Sequence, residues 1–67
     1  MHWNDIEEIA EKLEEEYSDE EIPKHNLPYL KEMVLSLSGF EDHEVEVQDM
    51  TLKKILEHWL EIRNYPH

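Results

Sequence analysis

The stretch DIEEIAEKLEEEYSDEE, residues 5–21, decides the fold of this 67-residue chain. Its apolar residues recur at the spacing i, i+3, i+4, i+7 and i+11, which is the period of an α-helix with one buried face. They are Ile6, Ile9, Ala10, Leu13 and Tyr17. We therefore predict a first helix here, with Asn4 as its N-cap and Glu7 completing a capping box.

The same stretch carries ten of the eighteen acidic residues and only one basic residue, Lys12. A solvated helix surface usually mixes both signs, because like charges one turn apart repel each other by about 0.2–0.5 kcal/mol. The pattern predicts an apolar face for the core and an anionic face for a cationic partner, which is either a basic protein surface or a metal ion. The glutamates at residues 14–16 lie near the negative, C-terminal end of the helix dipole, which repels their carboxylates. A nearby cation would relieve this repulsion.

Length and composition indicate one small domain over residues 1–67. The chain has no cysteine, which excludes disulfides and thiolate metal sites and fits a reducing cytoplasm. No apolar run approaches the roughly 20 residues that span a bilayer, and no signal segment opens the chain. The net charge of −12 disfavours binding to nucleic acid or to anionic membranes, because both recruit cationic proteins. We expect a soluble, cytoplasmic protein.

The second helix is expected to begin near Asn26 or Pro28, because Asn is a favoured N-cap and Pro is tolerated in the first turn. Its apolar stripe consists of Leu27, Leu30, Met33, Val34 and Leu37. Gly39, the chain's only glycine, is expected to close this helix in a left-handed conformation, with Phe40 folding back onto it.

Residues 43–48 alternate polar and apolar side chains, which is compatible with one short extended segment. The third helix is expected to start with Asp49 as its N-cap and to end before Pro66. Its apolar stripe consists of Leu52, Ile55, Leu56, Trp59 and Ile62. Three amphipathic helices with short connections predict an all-α, three-helix bundle.

Metal binding through carboxylates is one hypothesis for the anionic face. Glu8, Glu11 and Glu15 form a ladder on the first helix, and Asp19 and Glu21 continue it. Oxygen-only ligands suit hard cations such as Mg²⁺, Ca²⁺, Mn²⁺ or Fe²⁺. A site so exposed is expected to bind weakly, and a merely solvated acidic surface explains the same pattern.

Catalytic and zinc-binding patterns are missing from the sequence. The five histidines include His2 and His67, which are expected to fray at the ends, and no two histidines have the spacing of a zinc site. There is no nucleophile elbow, no phosphate-binding glycine loop and no cysteine, so we expect a protein that is not an enzyme. Trp3 and Trp59 are expected to lie in the core.

A set of aromatic, acidic and apolar residues is spread over nearly the whole chain. It opens with Trp3-Asn4-Asp5, continues through Ile9, Glu11, Leu13, Tyr17 and Asp19, and ends with Leu37, Phe40, Asp42 and Trp59. Together these residues resemble the W-T-D…I…E…L…Y-P-D opening and the later positions of the IscX proteins, small acidic partners of bacterial iron–sulfur cluster assembly. Ser18 stands where the family has proline, and Lys53 stands where an acid is usual.

The resemblance implies a winged-helix-like domain of three helices that binds the cysteine desulfurase of the assembly machinery. It also implies that an acidic face meets a basic surface near the desulfurase active site, competes there with frataxin, and tunes sulfur delivery according to iron. Carried over position by position, the partner-binding carboxylates are Glu8, Glu11, Glu15, Asp19, Glu21, Glu41 and Asp42. Asp5 also matches the family and is expected to support the helix dipole.

The resemblance further implies weak iron binding, as Fe(II) or Fe(III), and no tightly bound cofactor. The weak Fe(II) site is expected at Glu11, Glu15, Asp19 and Glu21. Two other functions stay open at this point. One is an Fe(II) carrier or donor for cluster assembly, and the other is an acidic mimic of nucleic acid that occupies a basic groove.

Overall fold

The computed structural model describes residues 1–64, so the predicted end of the last helix at Pro66 and the predicted fraying of His67 lie outside the described residues. Three helices follow one another: α1 (Ile6–Glu16), α2 (Leu27–Leu35) and α3 (Asp49–Asn64). The predicted all-α, three-helix architecture is confirmed. Between residues 1 and 64 no β-strand forms, so residues 43–48 make turns and irregular backbone. The winged-helix-like arrangement that the resemblance implies stays a prediction.

The apolar stripes of the helices meet in one core. The largest side chains that are completely buried there are Ile9, Leu13, Leu30, Val34, Ile55 and Trp59. Trp3 and Phe40 complete the core from the segments outside the helices, with their rings edge to face at a centroid distance of 4.7 Å. Both tryptophans are therefore core residues, as predicted, and α1 lies mainly against α3.

The N-cap of helix α1 lies one residue later than predicted. Asp5, not Asn4, occupies the N-cap position, and no side chain there accepts a hydrogen bond from the helix. The carboxylate of Asp5 is used elsewhere, because its Oδ2 accepts a hydrogen bond from the backbone N–H of His2 at 2.9 Å. The predicted capping box with Glu7 is therefore wrong: Asp5 stabilises the turn that precedes the helix.

Helix α2 starts where the sequence predicts, with the Oδ1 of Asn26 accepting from the N–H of Tyr29 at 3.1 Å. It ends earlier than predicted, with Ser36 as its C-cap. Gly39 has the predicted left-handed conformation, with φ +83°, but it lies in the turn that follows the helix. A left-handed glycine at this point lets Phe40 turn back into the core.

Helix α3 includes Asp49 as its first residue. The carbonyl oxygen of Gln48 accepts from the N–H groups of Thr51 and Leu52, so the chain enters the helix at Gln48 and the predicted N-cap is displaced by one residue. None of the helices described in residues 1–64 is long and apolar enough to cross a membrane.

The first three residues are bound to the segment 39–42. The α-amino group of Met1 donates to the carbonyl oxygen of Gly39 at 3.0 Å, and the N–H of Glu41 donates back to the carbonyl oxygen of Met1 at 2.8 Å. The indole N–H of Trp3 donates to the backbone oxygen of Asp42 at 3.2 Å. These bonds set the segment 39–42 beside the start of α1.

Candidate functional site: the acidic face of the first helix

Three glutamates lie on the side of α1 that faces away from the core. Glu8, Glu11 and Glu15 are exposed, while Ile9 and Leu13 between them are buried. With 3.6 residues per turn, the three glutamates span about 60° of the helix circumference and about 10 Å of its length. They form a narrow, negatively charged strip on a rigid element.

The strip continues past the end of the helix into the turn at residues 18–21. Residues 5–21 hold eight exposed carboxylates, which are Glu7, Glu8, Glu11, Glu15, Glu16, Asp19, Glu20 and Glu21. We call this set the acidic face. Lys12 is the only base among them, and its Nζ lies 3.7 Å from the carboxylate of Glu15. One solvated pair of this kind does little to reduce the negative potential of the whole face.

Glu14 belongs to the same run of glutamates, but the structure gives it a different role. Its Oε1 accepts from the indole N–H of Trp59 at 3.0 Å and from the Nε of Arg63 at 2.9 Å. Its side chain is 28% exposed, against 70% for Glu15. Glu14 therefore joins α1 to α3, and the acidic face does not include it.

Arg63 also relieves the electrostatic strain that the sequence predicts at the end of α1. One terminal nitrogen of its guanidinium donates to the carbonyl oxygen of Tyr17 at 2.7 Å, and the other donates to the carbonyl oxygen of Glu20. A cation beside the last carbonyls of a helix opposes the negative end of the dipole. Sequence reasoning missed this contact. The one signal for it is that Glu14 lies about 80° from the apolar stripe, whereas Glu15 lies about 180° from it.

The predicted loop carboxylates Glu41 and Asp42 lie beside the start of α1 and are held to different extents. The Oε2 of Glu41 lies 2.9 Å from the α-amino group of Met1, and the side chain is 64% exposed. The Oδ1 of Asp42 lies 2.8 Å from the Nδ1 of His2, its Oδ2 accepts from the N–H of Trp3 at 3.1 Å, and the side chain is 20% exposed. Asp42 thus secures the first residues of the chain, while Glu41 presents more of its charge to solvent.

The expected fraying of His2 is wrong. Besides the contact with Asp42, its Nε2 lies 3.4 Å from the carboxylate of Glu41. The hydrogen bond and the negative charge of Asp42 raise the pKa of His2 above its ordinary value. The hydrogen bonds from His2 and from the Trp3 backbone lower the pKa of Asp42, and the α-amino group of Met1 lowers the pKa of Glu41.

The structure therefore arranges the predicted site residues along one helix. Glu41 and Asp42 lie at its start, Glu8, Glu11 and Glu15 lie along it, and Asp19 and Glu21 follow its end. In the part of the chain that the structure describes, no three histidine or carboxylate side chains converge in a way that would hold a metal ion. The arrangement suits contact with an extended basic surface better than chelation of one ion.

The fold and this surface define a small, strongly acidic, all-α protein with a net charge of −12. A family model described as iron–sulphur cluster assembly matches residues 1–64, and the chain belongs to that family, the IscX/YfhJ family. The resemblance noted in the sequence is thereby confirmed. Neither the curated proteins nor the solved structures gave a significant match. Family membership supports an accessory role in iron–sulphur cluster assembly.

Proposed function

We propose that this protein binds the cysteine desulfurase of iron–sulfur cluster assembly through its acidic face and modulates the activity of that enzyme in the cytoplasm. The observation that carries the proposal is the strip of Glu8, Glu11 and Glu15, exposed on one rigid helix and continued by Asp19 and Glu21. Membership of the iron–sulphur cluster assembly family supports the choice of partner.

The physical argument rests on the sign and the continuity of the charge. The carboxylates of the strip repel one another in the free protein, and a basic partner surface removes that repulsion on binding. Exposed charges at a rim act mainly on the rate and specificity of association, so the complex should weaken as salt rises. The proposal gives Glu41 a direct contact and Asp42 the role of holding the loop, because Asp42 already has two internal partners.

The test is a binding measurement between the full chain and purified cysteine desulfurase by isothermal titration calorimetry. Charge reversal in the double variant Glu11→Lys/Glu15→Lys should weaken binding by at least about tenfold, which corresponds to about 1.4 kcal/mol. The matched control is Glu57→Lys/Glu61→Lys, which changes the net charge equally at exposed positions of α3. Equal losses in both double variants would reject the acidic face as the docking site.

Salt dependence gives a second, independent readout of the same complex. Raising the salt from about 0.1 M to about 1 M shortens the Debye length from about 10 Å to about 3 Å. Binding of the wild type should fall steeply over this range, and binding of Glu11→Lys/Glu15→Lys should depend on salt less.

Addition of frataxin should displace the wild-type protein, and the rate of sulfur release by the desulfurase should change when the complex forms. An unchanged rate at saturation would reject the modulating role.

Iron enters the proposal as a weakly bound ion at the same carboxylates, Glu11, Glu15, Asp19 and Glu21. Exposed oxygen ligands without an enclosing shell bind Fe(II) or Fe(III) weakly, which fits sensing better than carrying. Titration of the full chain with Fe(II), monitored by NMR line broadening, separates weak iron binding from the iron-carrier alternative. A carrier would bind at a defined stoichiometry and retain iron against a chelator. Binding to unrelated DNA-binding proteins would instead favour the nucleic-acid mimic.

A further inference from the structure

The guanidinium of Arg63 contacts both ends of the turn that continues the acidic face. Its two terminal nitrogens, Nη2 and Nη1, donate to the carbonyl oxygens of Tyr17 and Glu20, while its Nε donates to Glu14. Tyr17 is the C-cap of α1, and the N–H of Glu20 donates to the carbonyl oxygen of Tyr17 at 3.0 Å. One side chain of α3 thus closes the turn that displays Asp19.

Packing against Trp59 of α3 also restrains the guanidinium. Its Cζ lies 5.3 Å from the centroid of the Trp59 ring, which is completely buried. The Arg63 side chain is 24% exposed. A guanidinium is a planar fork with five donors, so it can bond to a carboxylate and two carbonyl oxygens at once. A lysine at this position would place one ammonium group near the same acceptors without that fork.

We propose that Arg63 is a positioning residue for docking: by joining the Tyr17 and Glu20 carbonyls to α3, it holds Asp19 and Glu21 in line with the carboxylates of α1. The inference rests on the proposed function, because it assumes that these carboxylates meet a partner. A cation thereby supports an anionic interface from within the fold, since its two terminal nitrogens bond to the backbone of the turn and its Nε bonds to Glu14.

The test uses the opposite signs of two effects in Arg63→Gln. Removing a positive charge makes the protein more anionic, so electrostatics alone would tighten binding to a basic partner. Loss of positioning would weaken it, and we expect binding to the desulfurase to fall by about fivefold, as exposed rim contacts are lost. Lys53→Gln is the matched control, because Lys53 is exposed on the same helix and its loss changes the net charge equally. Binding of Arg63→Gln as tight as that of Lys53→Gln would overturn the proposal.

Two further variants separate positioning from stability and from charge. Ile55→Val destabilises the core by about 0.5–1.5 kcal/mol without touching the turn, and it should bind like the wild type at a temperature where both are folded. Arg63→Lys keeps the charge but loses the planar set of donors, so it should bind at least as weakly as Arg63→Gln. Wild-type affinity in Arg63→Lys would mean that the charge alone suffices, which would also overturn the proposal.

A measurement on the free protein keeps this inference distinct from the proposed function. In Arg63→Gln, the NMR order parameters of the amides at residues 18–21 should fall, while those within α1 should not change. Unchanged order in the turn would overturn the positioning role even if the desulfurase binds. Loss of order in the turn, together with no binding of the desulfurase by the wild type, would refute the proposed partner and leave the hold of Arg63 on the turn established.

Discussion

Glu14 and Glu15 are adjacent in the sequence, and the structure predicts opposite results when each is replaced by alanine. Glu14→Ala removes the acceptor of two hydrogen bonds, one from the Trp59 indole and one from Arg63. Hydrogen bonds to charged groups contribute about 1.5–3 kcal/mol each. Because Glu14 is partly exposed and Arg63 keeps its other acceptors, we expect a net loss of about 1–2 kcal/mol for the pair.

Glu15→Ala removes only the solvated contact with Lys12 and relieves repulsion with Glu8 and Glu11. Loss of the Lys12 contact and relief of the repulsion each change the free energy of unfolding by about 0–0.5 kcal/mol, with opposite signs. The free energy of unfolding should therefore stay the same or rise slightly. In a domain of this size, 1 kcal/mol shifts Tm by about 4–8 °C. Thermal unfolding followed by circular dichroism should therefore show a Tm lower by about 4–16 °C for Glu14→Ala and nearly unchanged for Glu15→Ala.

The two variants should rank in the opposite order when binding to the desulfurase is measured. Glu15→Ala should weaken the complex with the desulfurase, and Glu14→Ala should leave it nearly unchanged while the variant is folded. A double-mutant cycle between Glu14→Ala and Arg63→Ala should give a coupling free energy above about 0.5 kcal/mol. Equal Tm shifts for the two alanine variants, or zero coupling between Glu14 and Arg63, would refute the division of roles drawn from these contacts.

Three other outcomes follow from particular residues. The stability difference between wild type and His2→Gln should be largest between about pH 3.8 and pH 6.5. It should disappear as pH rises through the raised pKa of His2, and also as pH falls through the lowered pKa of Asp42. Denaturant titrations over this range check it, and a pH-independent difference would contradict the pairing. Leu13→Ala should cost about 2–5 kcal/mol, which is most of the stability of a core this small, so the variant should have lost its cooperative thermal transition. Gly39→Ala should lower stability by about 1–2 kcal/mol from its left-handed backbone alone, since an added Cβ meets nothing within 4 Å; an unchanged Tm would contradict that account.

The family and the proposed role agree with the type of interface that the chain can offer. The described part of the chain gathers no group of metal ligands, but it offers a rigid, exposed strip of like charge. An accessory protein that binds an enzyme reversibly needs such a surface more than it needs a pocket. The weak iron binding proposed at Glu11, Glu15, Asp19 and Glu21 uses the same carboxylates, so iron and the desulfurase should compete for this face.

The sequence by itself determined the three helices, their apolar stripes and the exposed acidic side of α1. These features depend on residues three or four apart along the chain, which the helical period brings to one face. The confirmed burial of Ile9, Leu13, Leu30, Ile55 and Trp59 follows from that local pattern. The family resemblance likewise came from the spacing of residues along the chain.

Only the tertiary structure decided which carboxylates have partners within the fold and which are exposed on the surface. Glu14 meets Arg63, which lies 49 positions along the chain, and Asp42 meets His2, which lies 40 positions away. The sequence likewise did not show that the carboxylate of Asp5 bonds within the preceding turn instead of capping α1. Local periodicity cannot encode such contacts, because they depend on how α1 and α3 pack and on where residues 1–3 lie against segment 39–42. The division of the acids between those bonded within the fold and those exposed on the surface therefore follows from packing, although the excess of acids follows from composition.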